Sequence, residues 1–142
     1  MEIRALIVDD DFTSRILLQV FLAKYGSCHV ALNGKEAVQV FHRALENYRA
    51  YHLVCMDICM PEMNGHEAVK QIRECEEGLG VLPHERVKII MTTALKDDGN
   101  ILKAAGNDCD AYLSKPINTR MLLNHLETFG LVNEKPDPAI GK

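Results

Sequence analysis

The stretch "ALIVDDDFTS" (Ala5–Ser14) opens as an apolar run and stops in three adjacent aspartates, Asp9, Asp10 and Asp11. The run from Ile3 to Val8 reads as a buried strand. Like charges at its end repel one another, and burying even one carboxylate without a partner is expensive. Whatever the strand leads into must therefore offset negative charge.

Further strand candidates follow at Cys28–Ala31, Leu53–Met56, Val87–Met91 and Ala111–Leu113. Between them lie apolar residues at helical spacing: Ile16/Val20 and Leu17/Phe21, then Ala37, Phe41, Ala44 and Tyr48, then Val69 and Ile72. A weaker set (Ile101, Leu102, Ala105) and a closing one (Leu122, Leu123, Leu126, Phe129) complete the alternation. Asn33 with Glu36, and Asn64 with Glu67, each place a capping acceptor three residues before a carboxylate at a helix start. The pattern is (βα)5. Its strands are continuous apolar runs, the mark of a parallel sheet covered on both faces by helices, an α/β three-layer sandwich. "EEGLGVLPHER" (Glu76–Arg86) is long for a helix-to-strand connection, and its role is open.

In such a sheet all strands end at one edge, where ligands bind. The first strand ends in the aspartates, the third at Asp57, the fourth at Thr92 and Thr93, and the fifth at Lys115 before Pro116. Four of five strand ends thus carry chemically capable side chains. Converging carboxylates need a hard divalent cation, and Mg²⁺ suits one or two of them plus water. A metal beside an ammonium and a hydroxyl would receive phosphoryl oxygens, leaving one carboxylate to attack phosphorus. Asp57 stands alone at its strand end and is the best nucleophile. Asp11 has a plainer use as a helix cap, and Thr92 a structural one.

Composition limits the alternatives. The 142 residues suffice for one domain with a core, with 47% hydrophobic and 25% charged residues. A net charge of −4 argues against direct nucleic-acid binding. No run approaches the roughly 20 apolar residues of a membrane span, and the N-terminus resembles no secretory signal. Five cysteines without framework spacing imply reduced thiols and a cytoplasmic location. Cys55 and Cys59 would lie roughly 13 Å apart along a strand, too far to share a zinc ion.

Together "IVDDD", "MDICMPEMNG", "MTTA" and "YLSKP" resemble the receiver domain of two-component response regulators, the chemotaxis-regulator type, from about Glu2 to Leu131. The resemblance implies a flavodoxin-like sheet of order 2-1-3-4-5. It implies that Asp57 accepts a phosphoryl group from a histidine kinase or phosphotransfer protein, and that the protein's only chemistry is its own phosphorylation and dephosphorylation. Asp10 would bind Mg²⁺ directly and Asp9 through water, with Asp57 and the Cys59 backbone carbonyl as further ligands. Thr93 would hydrogen-bond the phosphoryl group, Lys115 would pair with it, Tyr112 would be the switch aromatic, and a cis bond would precede Pro116. Output would pass to a target protein through the face of the fourth helix, fifth strand and fifth helix. Residues 1–131 would form the domain and 132–142 a loose tail, with no output domain.

Three departures stand out. Asp108 occupies the position four before the switch aromatic where the family usually has glycine. Cys59 replaces a common polar side chain, and the 76–86 loop has no counterpart. The rival reading is enzymatic: Asp9 to Thr13 also fits D-x-D-x-T, which resembles the opening motif of haloacid-dehalogenase-like phosphatases. The acidic pair that family needs after its lysine is missing beyond Lys115.

Overall fold

A computed structural model describes residues 2–60, 62–94 and 108–133. The strands are β1 (Ile3–Val8), β2 (Gly26–Ala31), β3 (Leu53–Asp57), β4 (Lys88–Thr93) and β5 (Ala111–Ser114). The described helices are α1 (Phe12–Leu22), α2 (Gly34–Glu46), α3 (Gly65–Gly78) and α4 (Thr119–Thr128), with a 3-10 turn at Pro83–Glu85. The predicted stripe Ile101, Leu102 and Ala105 and the tail beyond Asn133 lie outside the described residues. All strand pairs are parallel, in the order β2-β1-β3-β4-β5. The sheet order and flavodoxin-like layering expected from the resemblance are therefore correct.

Alternation along each strand divides the core in two. Leu6, Val8, Val54, Met56, Ile89 and Met91 face Ala37 and Phe41 of α2 and Ala68, Val69 and Ile72 of α3. Ile3, Ala5, Ile7, Cys55, Ile90 and Leu113 face α1 and α4 on the other side. This double coverage is why the strands read as unbroken apolar runs. Asn33 and Asn64 cap α2 and α3 as expected, accepting from Glu36 N at 2.8 Å and Glu67 N at 3.0 Å.

Two stripes need correction. On α1 the inward residues are Leu18, Phe21 and Leu22, with Leu17 alongside, whereas Ile16 and Val20 face solvent. Tyr48 does not continue the α2 stripe, because the helix ends at Glu46 and the chain turns left-handed there.

The 76–86 segment also differs from the expected loop. Its first residues finish α3, and Glu76 is only 1% exposed. Its Oε1 accepts from Arg73 Nη1 at 2.7 Å and its Oε2 from Val87 N at 2.7 Å. One glutamate among Glu74, Glu76 and Glu77 gives no sequence sign of this.

Candidate functional site

Parallel pairing brings the predicted residues to one edge. Asp9 follows β1 directly, Asp57 closes β3, Thr93 closes β4, and Lys115 follows β5. Asp57 lies opposite Thr92 in the β3–β4 register, and Lys115 N–H donates to Thr93 O at 2.7 Å. The Lys115–Pro116 peptide bond is cis.

Lys115 sits between the two buried acids. Its Nζ is 3.0 Å from Asp9 Oδ2, 3.2 Å from Asp9 Oδ1 and 3.4 Å from Asp57 Oδ2. Asp11 N–H donates to Asp9 Oδ1 at 2.8 Å, and Cys59 N–H to Asp57 Oδ1 at 3.3 Å. Burial, and then the charge of Asp9, push the Asp57 carboxyl up to about 6, against the pull of Lys115 and the Cys59 amide. Burial works against the Lys115 ammonium, yet its bonds to Asp9 and the charge of Asp57 prevail and raise its pKa.

Asp9, Asp10 and Asp57 each place one carboxylate oxygen within 4.8 Å of the others'. Asp9 Oδ2 is buried and, though in ion-pair range of Lys115, receives no hydrogen bond among the described residues. An oxygen with a spare lone pair, among three acids opposed by one ammonium, suits a hard divalent ion that keeps part of its water. The set fits Mg²⁺. Asp11 stands outside that trio: its Oδ2 accepts from Ser14 N at 3.0 Å and Ser14 Oγ at 2.7 Å, so it caps α1. The plainer reading of Asp11, a helix cap, is the correct one. Cys55 is fully buried, with its thiol pushed up to about 12 by burial. It takes no part in the acidic group.

Tyr112 is half-buried on the α2–α3 side of the sheet, and burial and the neighbouring Cys109 thiol raise its pKa. Thr93 is buried at the rim. Two residues of the site escaped the sequence reading. Arg15 Nη1 donates to the Asp9 carbonyl at 3.2 Å, holding the rim from α1. Gly65 N–H donates to Ile58 O at 2.9 Å, and a Cβ on Gly65 would collide with the Asp57 carbonyl oxygen and stand 2.9 Å from Ile58 Cα. Both obstacles are backbone. Gly65→Ala is therefore expected to lower stability by about 2 kcal/mol in urea unfolding, because the backbone at Asp57 and Ile58 must shift to admit it. An unchanged midpoint would show that the backbone yields freely. The Asn64–Gly65 pair before a helix was the available signal, but it reads equally well as an ordinary cap.

The chain matches the family described as the response regulator receiver domain over residues 5–127, and it belongs to that family. It is a receiver domain of two-component phosphorelay signalling. It is 35% identical to the regulatory protein VanRB of Enterococcus faecalis, over 89% of this chain and 52% of that protein. It is 30% identical to the osmolarity two-component system protein SSK1 of Saccharomyces cerevisiae, over 91% of this chain and 20% of that one. The chain thus spans about half or less of these relatives.

Among solved structures, the Ssk1 receiver domain co-crystallised with the histidine phosphotransfer protein Ypd1 superposes with a TM-score of 0.74 and 33% identity, covering 91% of this chain and 89% of that one. The receiver domain of the sensor histidine kinase PA1611 from Pseudomonas aeruginosa, with magnesium coordinated in its active-site cleft, gives 0.73 and 26%, covering 91% and 98%. No described helix is long and apolar enough to cross a membrane.

Proposed function

We propose that Asp57 is the phosphoacceptor of this receiver domain. A carboxylate oxygen of Asp57 attacks the phosphorus of a phosphohistidine, the N–P bond breaks, and the leaving imidazole takes up a proton. The observation that carries the assignment is the buried Asp57 carboxylate, flanked by Lys115 and within reach of Asp9 and Asp10. Asp9, Asp10, Asp57 and the Cys59 carbonyl would hold Mg²⁺, which when bound supplies positive charge to the phosphoryl oxygens. Lys115, already balanced between two acids, exchanges Asp57 for a phosphoryl oxygen, and the Thr93 hydroxyl turns toward another. The half-buried Tyr112 ring responds to the space Thr93 vacates, which biases β5 and α4 toward an output conformation. Output then travels by protein–protein contact, and the chain turns over no substrate beyond its own acyl phosphate.

The donor is a histidine kinase or histidine phosphotransfer protein. Phe12, Ile16 and Val20 form an exposed apolar stripe on α1, leading away from the rim, where a donor helix would pack. Five free thiols suit a reducing cytoplasm. The test is incubation with Mg²⁺ and acetyl phosphate, followed by mapping of the acyl phosphate by mass spectrometry. One adduct on Asp57, lost on chelation of the metal, is the expected outcome; an adduct at any other residue, or none, overturns the assignment.

A further inference from the structure

Helices α2, α3 and α4 end in the same way. Gly80 N–H donates to Glu77 O at 3.1 Å and Val81 N–H to Glu76 O at 2.9 Å. Gly130 and Leu131 repeat this with Glu127 O and Leu126 O at 3.0 and 2.9 Å, and Tyr48 and Arg49 with Leu45 O and Ala44 O at 3.3 and 2.9 Å. The pivot of each turn is left-handed, at φ 75° for both glycines and 57° for Tyr48. Glycine is the residue that fits this position, and a bulky side chain there is strained. The Tyr48 ring is 97% exposed, so no internal packing offsets that strain.

Tyr48 borders a cleft of about 380 Å³ between the ends of α2 and α3, with Leu45, Leu79 and Val81 as apolar walls and Glu46 and Glu85 beside them. Leu79 also lines a larger cleft of about 630 Å³ between the two helices, whose lining includes Glu67, Glu74, Lys70 and His42. Leu79 and Leu82 are 45% and 53% exposed. Apolar walls, two carboxylates (Glu85, and Glu46 with its Oε1 3.4 Å from His42 Nε2) and an exposed aromatic ring together favour a cationic, partly apolar occupant.

We infer that this cleft docks a segment of a partner protein in which apolar side chains are flanked by lysine or arginine. Its location is separate from the phosphorylation site, since α3 begins against Asp57 at Gly65 and runs about 20 Å to the cleft.

The test uses the whole unphosphorylated chain with Mg²⁺ present to screen the acidic rim. A fluorescein-labelled Leu/Lys/Arg amphipathic peptide and its Leu/Glu counterpart are titrated by anisotropy, and the contact is mapped by amide chemical shifts. The cationic peptide should bind, with shifts at Tyr48, Leu79 and Val81. Tyr48→Gly should unfold at equal or higher urea yet bind about fivefold more weakly, and Glu46→Lys with Glu85→Lys should weaken binding likewise. Three results would overturn the inference: equal binding of both peptides, shifts clustered at Asp9 and Asp10 instead, or undiminished affinity in Tyr48→Gly. So would a Tyr48-dependent dimer in sedimentation, which would make a second copy the occupant.

Discussion

Asp57→Asn is expected to abolish acyl phosphate formation and, at pH 7 without magnesium, to raise the thermal midpoint by roughly 5 °C or more. The second effect follows from the first residue's own environment. Burial and Asp9 lift the Asp57 pKa from 3.8 to about 6, so the fold disfavours the charged carboxylate. A carboxyl whose folded pKa lies above its unfolded one stabilises the fold fully below pH 3.8, and that contribution disappears as pH rises through about 6. At pH 7 the ionised Asp57 therefore costs on the order of 2 kcal/mol relative to a neutral amide of the same shape. The gain from the substitution should shrink to nothing near pH 4. Burial holds His52 and His66 below their usual pKa, which weakens the fold as pH falls below 6.5. Both proteins share that loss, so the difference between them isolates Asp57. Saturating Mg²⁺ should close the gap from the other side, because it binds the wild-type acids and stabilises that fold in proportion. Differential scanning calorimetry at pH 4, 5.5 and 7, with and without the metal, checks each statement. A variant less stable than wild type at pH 7 would mean that the Lys115 contact at 3.4 Å outweighs burial and Asp9 together.

Much of this site could be read from residue order, for a definite reason. A parallel sheet buried on both faces forces its strands into apolar runs, and the point where each run breaks marks the shared edge. Asp9, Asp57, Thr93 and Lys115 sit at those breaks. Interactions decided by a neighbouring element could not be read that way. Periodicity placed Tyr48 on the α2 stripe because nothing in the spacing reports that the helix stops two residues earlier. A histidine in a first helical turn ordinarily reads as solvated, yet both ring nitrogens of His66 are buried with no partner among the described residues. Glu76 stood at the start of what read as a long connection, and nothing in the spacing marked Arg73 or Glu76 as buried, since such residues are mostly exposed. Their burial depends on where the 3-10 turn returns the chain to β4.

That pair carries the largest expected stability effect. Arg73 Nη1 bonds Glu76 Oε1 at 2.7 Å and Val87 O at 3.0 Å, its Nε bonds Asp108 O at 2.8 Å, and its Nη2 bonds Asp110 Oδ2 at 3.2 Å. Asp110 Oδ2 in turn accepts from Ile89 N at 2.8 Å. One guanidinium thus ties α3 to the start of β4 and to the chain entering β5. Arg73→Met keeps the apolar stem and removes the charge, leaving Glu76 a buried carboxylate with only the Val87 amide. A loss of about 3–5 kcal/mol is expected, read as a lower urea midpoint. Glu76→Leu should cost less, because Arg73 keeps Asp110 and two carbonyls. The double variant, Arg73→Met with Glu76→Leu, should be more stable than Arg73→Met alone, because the stranded charge is gone. If instead the two losses simply add, the pair is not coupled and the ion bond is a bystander to packing. Asp57 should still be phosphorylated in every variant that folds, because the network binds the opposite end of β4 from Thr93.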